Sequence, residues 1–148
     1  MCPLRRSDPE GVRMPVEIAQ VTPVLRIFDV GLAKSFYCDY LGCSVDWESG
    51  DGSGGPVYMQ ASRGPLVLHL SSHHGDGTPG GVVLVEVTGI KELHDELHTK
   101  DYRFMNPGIE PGPVENMLSM ELIDPFSNLV RFFEWSGRSP MEVPPTPD

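Results

Sequence analysis

The sequence predicts an α+β domain in which two βαβββ modules, residues 18–71 and 82–135, build a curved mixed-sheet cup. Three observations predict it. The hydrophobic periodicity runs strand, helix and three strands, and then runs so again. The two runs are equally long, about 54 residues each, and resemble each other in pattern rather than in identity. A unit that short buries too little surface to stand well alone, so the halves must pack side by side.

The elements follow in order. IAQVTPVLRIF, residues 18–28, is rich in β-formers and reads as a strand. Asp29 stands at an N-cap position before VGLAKSFYCDYL, where Leu32, Phe36 and Tyr40 form one helical stripe beside Ala33, Tyr37 and Leu41. Gly42 closes that helix. CSVDWE (43–48) alternates as a strand, SGDGSGG (49–55) turns, and 56–62 with 65–71 read as a hairpin about Arg63-Gly64. The loop 72–81 is longer than the usual connection of roughly four to six residues.

In the second run, VVLVEV (82–87) is a strand and Thr88 or Gly89 opens a helix with Ile90, Leu93 and Leu97 on one face. YRFM (102–105) reads as a short strand, 106–116 as a Pro/Gly loop, and 117–123 and 129–135 as strands about a tight turn at Asp124-Pro125. Residues 1–17 and the Pro-rich 136–148 read as tails, and Met14 stands where a native start is expected.

A chain of 148 residues fits one domain. Its net charge of −10 disfavours nucleic acid and anionic membrane surfaces and suits a cationic ligand. Three cysteines without a secretory leader imply a reduced, cytoplasmic protein, and no apolar run reaches the ~20 residues that span a bilayer. No nucleophile elbow, phosphate loop or dinucleotide fingerprint is present, and Cys38 and Cys43 read as small buried hydrophobes.

The segments PVLRIFDVGLAKSFYCDYLG (23–42), LVLHLSSHHGDGTPGG (66–81) and IDPFSNLVRFFEW (123–135) resemble the glyoxalase/bleomycin-resistance/extradiol-dioxygenase (vicinal oxygen chelate) superfamily. The likeness covers residues 18–135, and His69-x-x-x-His73-His74-Gly75-Asp76 is similar to a segment of certain bacterial glyoxalase-like proteins. It implies four inward positions that hold metal in the metal-dependent members: here Thr22, His69, about Val82, and Arg131. Only His69 could ligate directly, whereas a catalytic centre needs about three protein ligands. The resemblance therefore implies a member without metal, cofactor or catalytic residues, typified by dimeric bleomycin-resistance proteins. Those sequester a cationic glycopeptide antibiotic at the subunit interface.

The expected function is accordingly small-molecule binding by a homodimer. The alternatives are a glyoxalase-fold enzyme of lyase or dioxygenase type that uses His69 at an altered metal site, and a non-catalytic dimerisation module. The expected ligand-binding residues are Arg26, Trp47, His69, Arg131 and Phe133. Period two turns His69 away from Leu68 and Leu70, so it either faces the cup or is a hydrogen-bonded structural histidine. Arg26 and Arg131 would place positive charge in the cup, unless paired, with Glu121 as a buried partner. In glutathione-dependent relatives the arginine corresponding to Arg26 meets a substrate carboxylate. Trp47, beside the Gly-rich turn, is the aromatic expected to touch ligand. His73, His74 and Asp76 read as loop residues, and His94 and His98 as a solvated helical face.

Overall fold

A computed structural model describes residues 15–50 and 54–137; most of the expected tails 1–17 and 136–148, with Met14, and residues 51–53 of the expected turn 49–55 lie outside the described residues. The elements are β1 (Val24–Arg26), α1 (Val30–Lys34), β2 (Ser44–Ser49), β3 (Tyr58–Arg63), β4 (Leu66–Ser71), β5 (Val82–Glu86), α2 (Ile90–His98), β6 (Glu110–Pro111), β7 (Met117–Ile123) and β8 (Leu129–Trp135). They form two four-stranded mixed sheets, ordered β1-β4-β3-β2 and β5-β8-β7-β6. In each, the outer strand β1 or β5 runs parallel to β4 or β8, and the other pairings are antiparallel. The repeated module is thus present twice.

Asp29 caps α1 through a 2.8 Å bond from the Leu32 N–H. The helix continues as a π-helical stretch, Ser35–Tyr40, in which the Leu41 N–H reaches back five residues to the Phe36 carbonyl at 2.8 Å. The wider turn changes the phase of the apolar stripe. Phe36, Tyr37, Tyr40 and Leu41 are all buried, while Leu32, expected on the stripe, is 46% exposed. Gly42, at φ 86°, turns the chain out of the helix as expected.

Two strand expectations change. Only Val24–Arg26 of the predicted strand 18–28 forms a ladder, because β4 offers β1 just three registered partners, His69, Leu70 and Ser71. YRFM is not a strand: Tyr102 is held by its ring, stacked on Tyr40 at 4.4 Å and 18°, rather than by a ladder. The fourth strand of that sheet comes from the predicted loop, as the two-residue β6.

One apolar cluster spans both modules, joining Ile27, Phe36, Tyr37 and Leu68 to Ile90, Leu97, Met120 and Phe132. Polar contacts cross the same boundary. The buried Tyr37 hydroxyl donates to Asp124 Oδ2 at 2.6 Å, and Asn128 Nδ2 donates to the Arg26 carbonyl at 2.8 Å. Arg63 grips Glu96 with two bonds of 2.7 and 2.8 Å and also donates to the Leu41 carbonyl at 2.9 Å. With the helices and this core on one side, each sheet keeps a second, open face.

Candidate ligand-binding faces

The open face of the first sheet follows from alternation. Leu68 and Leu70 enter the core, so His69 turns outward, and register sets it beside Val24 on β1 and Gln60 on β3. Strict alternation from the core-facing Val45 would turn Trp47 towards the helices. A bulge between Val45 and Trp47 prevents this, so that Trp47, not Asp46, registers with Gln60. An extra residue in an edge strand re-aims the side chains beyond it. Trp47 therefore lies on the open face, 44% exposed. It stacks parallel to Tyr58 (5.8 Å, 6°) and meets the His69 ring edge-on at 5.2 Å.

A hydrogen-bond chain sets this shelf. Gln60 Nε2 donates to Asp46 Oδ2 at 3.0 Å, which leaves Gln60 Oε1 as the acceptor facing His69 Nε2 at 2.9 Å. His69 thus carries its proton on Nε2, and Nδ1 accepts from the Tyr58 hydroxyl at 2.7 Å. Hydrogen bonds from Ser62 and Gln60 hold the fully exposed Asp46 carboxyl below its ordinary range. The shelf is aromatic in its middle and anionic at its edge.

Arg26 lies one row away, in register with Ser71, which in turn faces Tyr58. Its guanidinium covers the Phe28 ring at 5.0 Å, and its buried Nε has no hydrogen-bond partner among the described residues. The loop after β4 reaches the same region. The His73 ring meets Tyr58 at 6.4 Å, and the Ser71 hydroxyl donates to Asp76 Oδ2 at 2.8 Å. His94 and His98 sit apart on α2, ring on ring at 3.9 Å.

The second sheet presents Leu84, Arg131 and Glu121 as one row and Glu86, Phe133 and Ser119 as the next. Arg131 Nε pairs with Glu121 at 2.8 Å, but the pair is partly exposed rather than buried as expected. Phe133 is only 4% exposed and meets Trp135 edge-on at 5.5 Å. Val82, Leu84 and Ile123 are exposed on this face. The expected residues thus divide into Arg26, Trp47 and His69 on one sheet and Arg131 and Phe133 on the other. No hydrogen bond, ion pair or ring contact joins the two groups among the described residues.

A metal does not fit the inherited positions. Thr22, Val82 and Arg131 offer no suitable set, and both His69 ring nitrogens are engaged. Among the described residues no three His, Cys, Asp or Glu side chains are grouped to hold an ion. Neither Cys38 nor Cys43 is poised as a nucleophile: burial pushes the Cys43 thiol up to about 11, and Cys38, only partly buried, is also raised. A slot of about 770 Å³ lies elsewhere, between β5, the start of β4 and the first turns of α2.

Sequence reasoning missed Asp46 and Gln60. Gln60 was legible, since a hairpin about Arg63-Gly64 sets it opposite His69. Asp46 was hidden by the bulge, for which the sequence carries no marker.

Paired βαβββ modules, each with a four-stranded mixed sheet, define a glyoxalase-type fold. Residues 10–138 match the family described as "Glyoxalase superfamily protein", and the chain belongs to that family, within the glyoxalase/bleomycin-resistance superfamily. No curated protein matches it. Among solved structures, it is similar to the bleomycin-binding protein from bleomycin-producing Streptomyces verticillus, complexed with copper(II)-bleomycin. That match has 28% identity, covers 79% of this chain and 96% of the other, and has a TM-score of 0.55. A second bleomycin-binding protein, complexed with bleomycin, matches at 23% identity, 78% and 97% coverage and a TM-score of 0.57. A glyoxalase family protein from Bacillus anthracis matches at 16% identity, 83% and 100% coverage and a TM-score of 0.58. Among the described residues no helix is long and apolar enough to cross a membrane.

Proposed function

We propose that the protein sequesters a small molecule, an antibiotic or related natural product, in a cleft formed where the open sheet faces of two copies meet. The observation that carries this reading is the Trp47 shelf. A large aromatic is left 44% exposed, yet it is held in place by a ring on one side and a hydrogen-bonded histidine at its edge. Such a shelf fits a planar heteroaromatic group, since ring stacking contributes ~0.5–1.5 kcal/mol beyond area burial. Asp46, with the chain's net charge of −10, favours a ligand that is cationic elsewhere. Arg26 and His69 flank the shelf, and Arg131 and Phe133 supply the opposing face from the second copy. Bleomycin-like glycopeptides combine the required features, and the likeness to two bleomycin-binding proteins supports them as the first ligands to try. No catalytic step and no cofactor is needed.

Titration calorimetry with bleomycin, metal-free and copper-loaded, tests the reading. Saturable binding is expected, weakened about tenfold in Trp47→Ala, which corresponds to roughly 1.4 kcal/mol. Absence of heat up to high micromolar ligand would sink the glycopeptide reading. Equal affinity of Trp47→Ala would move the site off the shelf.

A further inference from the structure

We infer that His94 and His98 form a copper(II) site on the outer face of α2, the two imidazoles holding the ion side by side through their Nε2 atoms. The pair stands at i and i+4 of the helix, so both side chains share one face. Their ring centroids lie 3.9 Å apart, and the rings are only 30° from parallel.

Hydrogen bonds decide which nitrogen is available. His98 Nδ1 meets the His94 carbonyl at 2.8 Å, and a carbonyl only accepts, so this Nδ1 carries the proton. His94 Nδ1 meets Asp95 Oδ1 at 3.2 Å, and an ionised carboxylate likewise only accepts. In the neutral rings both Nε2 atoms therefore keep their lone pairs, and neither has a hydrogen-bond partner among the described residues. Donation of the other ring N–H to a carboxylate or a backbone carbonyl is what orients a ligating histidine and raises its basicity. Here one ring has the carboxylate and its neighbour the carbonyl, so both are held rather than free to turn. Two metal–nitrogen bonds of ~2.0–2.1 Å set the ligating nitrogens ~3 Å apart. Rings stacked at 3.9 Å reach that spacing by a small turn about χ2, a soft torsion in histidine.

Charge agrees. His98 lies in the last turn of α2, before the Thr99 C-cap, where the helix dipole is negative and favours a cation. The Asp95 carboxylate adds to it, and Lys100 is turned away to the Tyr40 carbonyl at 2.6 Å and to Glu96 at 3.5 Å. The choice of ion follows from the ligand count. No group of three His, Cys, Asp or Glu side chains stands ready among the described residues, so water completes the sphere. Zinc sites take three or four protein ligands. Copper(II) heads the affinity order of the divalent ions and accepts tetragonal nitrogen and oxygen donors, here two imidazoles beside waters. Zinc and nickel are lower in that order, and two imidazoles do not retain them at stoichiometric concentration.

The test uses the full chain, stripped of metal, titrated with copper(II) chloride and followed by electron paramagnetic resonance. One bound equivalent with an axial spectrum and splitting from two nitrogens is expected. Removing even an outer partner of a ligand costs ~10–100-fold in metal affinity, so His94→Gln and His98→Gln are each expected to weaken binding at least about tenfold and to lose one nitrogen from the splitting. The doublet His73→Gln with His74→Gln is expected to change neither. In the parent protein the imidazole nitrogen resonances of His94 and His98 should broaden first, a readout that needs no variant. Copper held equally well by His94→Gln and His98→Gln would overturn the inference. So would broadening that begins at His69 or His73, or no bound copper at one equivalent. Metal-free bleomycin binding that survives any of these results would leave the proposed function standing, because the inference concerns α2 and not the shelf.

Discussion

At the scale of single residues, His69 shows how a hydrogen-bond inventory decides between chemistries. Its Nε2–H is given to Gln60, and its Nδ1 lone pair takes the Tyr58 hydroxyl. A metal ion would have to displace one of these bonds and would still find no group of three His, Cys, Asp or Glu side chains to hold it among the described residues. Zinc, nickel or manganese at stoichiometric excess is therefore expected to leave the melting temperature unchanged in scanning calorimetry. A rise that His69→Ala abolishes would restore a metal-dependent reading. Period two alone made His69 legible as an outward residue. The identity of its partners was not, since they come from β3, eleven and nine residues upstream.

At the scale of elements, α2 is the instructive case. Gly89 at its N-cap, with φ 96°, has no side chain to cap the helix. Glu134 on β8 does so from outside, taking the Gly89 and Ile90 N–H groups at 2.9 and 3.1 Å. Those two bonds hold the Glu134 carboxyl below its ordinary value of 4.5. A lowered carboxyl contributes stability above its unfolded pKa and loses it as pH falls through the folded one. Glu134→Gln is thus expected to cost about 1 kcal/mol at neutral pH, the usual worth of a cap. The difference from the parent protein in urea titrations should narrow as pH falls from 4.5 through the lowered folded pKa; a gap that persists in acid would assign it to packing. Helix positions were legible because caps and stripes are local. The π-helical stretch, the bulge and β6 were not, because each is chosen by contacts from elsewhere: Tyr40 on Tyr102, β2 on β3, and β6 on β7.

At the scale of the whole molecule, the two sheets share no ladder among the described residues, yet they share one core. The Tyr37–Asp124 bond, the Asn128–Arg26 bond and the Arg63–Glu96 grip all cross between modules. Dissolving one module would leave half of each contact behind, including a buried carboxylate with one fewer donor. A single calorimetric transition is expected, with equal van't Hoff and calorimetric enthalpies. Two resolved transitions would mean that the modules are separable units. The repeat itself was legible from period and order, whereas the way two sheets meet depends on side chains far apart in sequence.

The bulge in β2 has a genetic corollary. Asp46 is the surplus residue there: without it, Val45 would still face Ala61 and Trp47 would still face Gln60, now in an unbroken ladder. Loss of that one codon would therefore act as a repair of the strand rather than a lesion. The aromatic shelf would survive and only its carboxylate would vanish. Within such a lineage, a ligand preference could change by indel, without any substitution among the rings that do the stacking.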